Sequence, residues 1–149
     1  MKNLLIIMLL TLPLFSQGQV SMDFGGGAAR MNQISEKEMT KIMVPVVKVG
    51  IGYQLSNIVA ELMMQPTLTN LVNSPNYFGG KIGYDFHNII ASAGYFYNLC
   101  NSDLPENNGG AFGYSLKYRV PINENGGLYA EAIRINKVME ATVGFQIVF

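Results

Sequence analysis

The chain has 149 residues, enough for one domain, and only 13% of them are charged, against ~25% in an ordinary soluble domain. Ten basic and ten acidic residues cancel to a formal net charge of zero, which excludes the basic surface of a nucleic-acid binder and gives no acidic tail for a cationic partner. Cys100 is the one cysteine, so no intramolecular disulfide and no cysteine metal site is expected.

The N-terminus reads as a signal peptide. Met1-Lys2-Asn3 is a short basic start, followed by an apolar run from Leu4 to Phe15 that only Thr11 and Pro13 interrupt. At about 12 residues this run is too short to span a bilayer, which takes roughly 20. Ser16-Gln17-Gly18 offers small residues at the positions a signal peptidase reads, so cleavage is expected near Gly18, with 1–18 as signal peptide and 19–149 as the mature domain.

No later stretch has the continuous apolarity of a transmembrane helix; what repeats is alternation with period two. Val20 to Phe24 opens the mature chain as a strand, which Gly25 to Ala29 extend with small side chains. Met31 to Thr40, containing Glu36-Lys37-Glu38, reads as a polar surface loop. The second strand is Val46 to Leu55, with Val47, Val49, Ile51, Tyr53 and Leu55 on one face and Lys48, Gly50, Gly52 and Gln54 on the other. Ser56-Asn57 turns tightly into a third strand, Ile58 to Met64, and Gln65 to Asn76, with two prolines, is a longer loop.

Tyr77 to Phe86 is the fourth strand and Ile89 to Leu99 the fifth, joined by a tight turn at His87-Asn88. Asn98 to Gly109 is polar and loop-like. The sixth strand, Gly110 to Val120, returns through Pro121 to Gly126 into the seventh, Gly127 to Arg134. Arg134 falls on that strand's apolar face, so a bulge or an early end is predicted there. Asn136-Lys137 turns into the last strand, Val138 to Phe149, where Val143, Phe145, Ile147 and Phe149 oppose Thr142, Gly144, Gln146 and Val148.

Eight strands, with long connections after the first, third and fifth and shorter ones after the second, fourth and sixth, give an all-β fold, an eight-stranded antiparallel up-and-down transmembrane β-barrel; the short connection after the seventh departs from that alternation. A soluble lipocalin-like barrel alternates too, with the apolar face inside. Two features favour the membrane arrangement. The polar face is crowded with Gly50, Gly52, Gly79, Gly83, Gly113 and Gly144, which suits a narrow interior. The apolar face collects Tyr53, Phe78, Tyr84, Phe86, Tyr95, Tyr97, Phe112, Tyr114, Tyr118 and Phe149, as aromatic girdles require. Asp23, Lys48, Glu61, Lys81, Asp85, Lys117, Arg119, Glu131 and Glu140 then face the lumen. An isolated buried charge is costly, so these residues are the candidates for an internal ion-pair network that leaves no wide pore.

The segment Thr142 to Phe149 is apolar on one face and stops on an aromatic. Its positions Thr142, Gly144, Ile147 and Phe149 resemble the C-terminal signal by which outer-membrane barrels are recognised for insertion. The whole mature chain resembles the small eight-stranded outer-membrane proteins, outer-membrane protein A-like (its barrel domain) or X-like. That resemblance implies a Gram-negative cell envelope, the outer membrane as location, membrane lipid and the barrel-assembly machinery as partners, and an extracellular ligand at the loops.

No catalysis and no cofactor is expected. His87, the one histidine, lies in a turn with no serine beside it; Ser92 is half a strand away on the lumen face. Cys100 has no base near it in sequence. Gly25-Gly26-Gly27 lacks the spacing, the lysine and the following helix of a phosphate loop. The leading expectation is a structural or recognition role through the loops. The alternatives are a narrow solute channel, an outer-membrane lipid-modifying enzyme and a secreted soluble barrel that binds an apolar ligand.

Overall fold

Eight antiparallel strands carry the chain: β1 (Gln19–Ser35), β2 (Glu38–Leu55), β3 (Ile58–Gln65), β4 (Tyr77–Phe86), β5 (Ile89–Asn98), β6 (Gly109–Asn123), β7 (Gly126–Ile135) and β8 (Val138–Val148). The computed structural model describes residues 18–35, 38–69, 76–99 and 109–149, without the side chains of 31–40. The predicted signal peptide (but for Gly18) and Cys100 therefore lie outside the described residues.

Each strand pairs with its neighbour in sequence, and β8 pairs back onto β1 from Ser21↔Val148 to Arg30↔Met139, which closes the barrel. Closure leaves no sheet edge, so every strand finds two backbone partners. The turns Ser56-Asn57, His87-Asn88 and Asn136-Lys137 are two residues long. His87 and Asn88 both take positive φ, 55° and 79°, the geometry that lets a two-residue turn follow the twist of its strands. The Asn88 amide donates to Asp85 Oδ1 at 2.9 Å and fixes that turn.

Three segments differ from expectation. Residues 31–35 and 38–40 are not loop but the paired ends of β1 and β2, in register from Met31↔Ile42 to Ser35↔Glu38. Backbone hydrogen bonding is indifferent to side-chain polarity, so a ladder can run on where the alternation of the sequence disappears. The bulge expected near Arg134 is absent: β7 keeps register with β8 from Gly126↔Ile147 through Arg134↔Met139 to Ile135↔Val138. The irregularity sits at the other end of the β6–β7 hairpin, between Pro121 and Asn123, because proline cannot donate to the ladder. β6 therefore runs on into the predicted Pro121–Gly126 return. Finally, pairing continues beyond Gln65, where the Val47 amide donates to the Pro66 carbonyl at 3.0 Å.

Inside and outside follow the period of two. Along β3 buried and exposed residues alternate without a break, and β7 does the same from Leu128 to Ile135. The exposed positions are large and apolar, among them Ile51, Leu62, Ile82, Phe112, Leu116 and Val143. The buried positions face the lumen, and they include most of the charged side chains of the strands.

Candidate functional site: the filled lumen

Asp23 on β1, Lys48 on β2, Glu61 on β3, Lys81 on β4, Lys117 on β6 and Glu131 on β7 all point inward, and none is more than 6% exposed. Closure brings them into one layer. Lys48 Nζ lies 2.6 Å from Glu61 Oε1 and 3.6 Å from Asp23 Oδ2, and it also pairs with Glu131. Lys81 pairs with Glu131, donates to Ser115 Oγ at 3.3 Å and lies 3.4 Å from Glu61 Oε2. Lys117 pairs with Asp23 and lies 3.4 Å from Glu61 Oε2. Three ammonium groups meet three carboxylates, so the layer is neutral, as burial away from water requires.

Two uncharged side chains complete this layer. The Tyr129 ring lies between two of the lysines, its centroid 5.1 Å from Lys48 Nζ and 4.8 Å from Lys117 Nζ, so its negative face meets two cations. Gln146 Nε2 donates to Asp23 Oδ1 at 2.9 Å. Inward glycines provide the room: a Cβ at Gly25 would lie 2.3 Å from the Tyr129 hydroxyl, and one at Gly94 would lie 2.6 Å from Lys81 Cβ.

Asp85 and Arg119 form a separate pair at the turn end of the barrel. Arg119 Nη1 donates to Gln54 Oε1 at 2.9 Å, and Gln54 Nε2 donates to Asp85 Oδ2 at 3.2 Å. A polar depression of about 190 Å³ opens over Arg119, Gln54 and Gln146. Towards the long connections the lumen changes character. Ala29, Val44, Val46, Met63, Tyr77, Phe96, Ile133, Ile135 and Val138 form an apolar layer across it. Phe96 fits over two glycines, since a Cβ at Gly79 or Gly113 would come within 2.6 or 2.9 Å of its ring.

Glu140 stands apart from the other candidates. It is inward and 1% exposed, and its cross-strand partners are Ala29 and Ile133 of the apolar layer. Neither of its carboxylate oxygens has a hydrogen-bond partner within the described residues.

The residues of the terminal pattern do not converge on a site. Thr142 and Gly144 face inward opposite Gly27 and Gly25, whereas Ile147 and Phe149 face outward. The Phe149 amide donates to the Val20 carbonyl at 2.9 Å, which extends the β1–β8 seam. His87 is exposed in its turn, and Ser92 Oγ lies 2.7 Å from Ser115 Oγ inside the barrel, so the two do not meet. Among the described residues no cluster of His, Cys, Asp or Glu has metal-binding geometry.

Sequence reasoning missed Tyr129, Gln54 and Gln146 as members of these networks, although each shares the parity of a charged lumen residue on its own strand or its neighbour. It also missed the apolar layer, because an interior read as polar and small left no place for it.

No protein-family model matches the chain, and no curated protein matches it. Solved structures do. A designed transmembrane β-barrel and Neisserial surface protein A (NspA) each superpose with a TM-score of 0.60 at 14% identity. The first match covers 88% of this chain and 95% of the design, the second 89% and 97%. The attachment invasion locus protein Ail of Yersinia pestis, solved with the heparin analogue sucrose octasulfate, matches with a TM-score of 0.53 at 11% identity over 89% and 99%. At these identities the likeness shows the fold, that of small eight-stranded transmembrane barrels, and no narrower family.

Proposed function

We propose that the chain is an outer-membrane barrel with a filled lumen, a rigid anchor whose role is structural and recognitional through the surface around its long connections. The observation that carries this reading is the inversion of polarity. Lys48, Lys117, Asp23 and Glu131 are at most 3% exposed, while Ile51, Leu62, Ile82, Phe112 and Val143 are 54–81% exposed. Water would favour the opposite arrangement, because apolar surface is stabilised by leaving it. In hydrocarbon the outward side chains are at home and the charges satisfy one another inside.

On this reading the cleaved leader exports the chain. The barrel-assembly machinery recognises Thr142, Gly144, Ile147 and Phe149, lipid surrounds the wall, and any ligand binds at the loops, where a rigid scaffold leaves side chains free for recognition. No catalysis is assigned. The charged and apolar layers both cross the lumen, which speaks against a solute channel.

Membrane fractionation followed by gel electrophoresis in SDS, with and without boiling, tests the proposal. Recovery in the outer membrane with a heat-dependent shift in mobility is expected. Recovery in the soluble periplasmic fraction without a shift would sink it. Deletion of Phe149 tests the insertion signal: wild-type levels of the truncated chain in the outer membrane would remove the role given to that residue.

A further inference from the structure

The outer wall formed by β7, β8, β1 and β2 is unlike the wall formed by β3 to β5. On the side of the barrel where the long β3–β4 and β5–β6 connections lie, cross-strand register aligns Arg134 with Met139, Met139 with Arg30, and Arg30 with Met43. All four are exposed. Lys41 stands two residues beyond Met43 on the same outward face of β2, and Lys137 lies in the turn beyond Met139; both are exposed. The corresponding row on the other wall is Met64, Phe78 and Tyr97, with no charge.

Directly towards the barrel's middle, the next row on the basic side is Ala132, Ala141, Ala28 and Pro45, and the one after it is Ala130, Val143, Gly26 and Val47. These small side chains leave the wall hollow. A groove of about 500 Å³ runs over Gly26, Ala130, Ala132, Ala141, Val143 and Leu116. A second, of about 370 Å³, shares Leu116 and Ala132 with it and reaches up to Arg134 and Met139. Smooth apolar grooves thus end beneath a row of cations.

Among the side chains described, the one exposed carboxylate is Glu124, in the β6–β7 turn at the opposite end of the barrel. Arg134 Nε donates to the Asn136 carbonyl at 3.2 Å, which holds the guanidinium at the rim. An arginine on a barrel's lipid face costs little near the interface, roughly 0–1 kcal/mol, and about 2–4 kcal/mol at the midplane. The position of the row therefore matches the headgroup level. Arg30 and Arg134 are separated by one strand, about 10 Å between backbones, so both side chains can reach one phosphate-bearing headgroup.

We propose that this wall is a binding site for a phosphorylated, multiply acylated lipid of the loop-side leaflet. Arg30 and Arg134 hold its phosphates with Lys41 behind them, and its acyl chains lie in the grooves over Ala132, Ala141 and Gly26. Guanidinium forks suit phosphate through paired charge-assisted hydrogen bonds, and methionine at 43 and 139 supplies adaptable apolar contact between them. The proposal rests on the membrane-barrel reading.

The test uses the full-length mature protein in phosphatidylcholine nanodiscs doped with diphosphoryl lipid A, with bound lipid counted by native mass spectrometry. Wild type is expected to retain the diphosphoryl lipid, and a chemically dephosphorylated lipid A is expected to be lost. R30Q/R134Q should bind roughly tenfold more weakly, while Phe78→Ala on the other wall should bind like wild type. Each variant is first checked for the heat-dependent gel shift of a closed barrel. Equal retention by R30Q/R134Q, or of the dephosphorylated lipid, overturns this proposal alone. A wild-type protein that shows no shift and does not insert overturns the barrel reading and this proposal with it.

Discussion

The lumen is filled by two materials. Its middle is a neutral cluster of three lysines and three carboxylates around Tyr129, while its loop side is a hydrocarbon layer around Phe96. The two layers tolerate damage differently. Each charge in the first depends on partners from other strands, so loss of one leaves others buried and uncompensated. The second is held by packing, so its cost scales with the volume removed. Both exclude water, but only the first fixes which strands must face one another across the barrel.

That contrast can be broken most directly at Glu131, which serves both Lys48 and Lys81. Glu131→Gln is expected to destabilise the barrel by about 3–5 kcal/mol, read as a lowered urea midpoint in detergent micelles. An unchanged midpoint would mean that water already reaches the cluster. Tyr129→Leu keeps the volume roughly filled but removes two cation–ring contacts, and a loss of about 2 kcal/mol is expected in the same titration. A loss near zero would make the ring a spacer and no more. In the apolar layer, Phe96→Leu should cost about 1 kcal/mol, because a similar shape still covers Gly79 and Gly113. A cost as large as that at Glu131 would erase the distinction between the layers. The smallest effect is expected at Glu140, whose carboxylate has no hydrogen-bond partner among the described residues. Glu140→Gln should be neutral or should raise the midpoint, since a buried carboxyl without a hydrogen-bond partner contributes desolvation cost and no compensating bond. A clear loss would place Glu140 inside the ion network.

Much of the fold was legible because lipid and lumen demand opposite side chains. β4 was predicted with its observed bounds, Tyr77–Phe86, where Phe78, Ile82 and Tyr84 alternate cleanly with Lys81, Gly83 and Asp85. Legibility failed where that demand lapses. Over 31–35 and 38–40 polar residues fall at both parities of the sequence, so paired backbone looked like loop. At Val46-Val47 both faces are apolar, and the inward residue, Val46, could not be recognised as part of a core layer. Arg134 was visible as a violation of the pattern, but period two alone could not say whether the chain bent or the wall itself carried a charge. The partnerships were the least legible. Lys48 and Glu131 are 83 residues apart and meet only because the barrel closes.

The central claim, that the lumen is sealed, is tested most directly by conductance of the purified protein in planar bilayers after the gel shift has verified insertion. A closed baseline at every applied voltage is the expected result. Discrete, reproducible openings of the wild-type protein would contradict it, and would mean that the ion cluster and the apolar layer leave a continuous wet path.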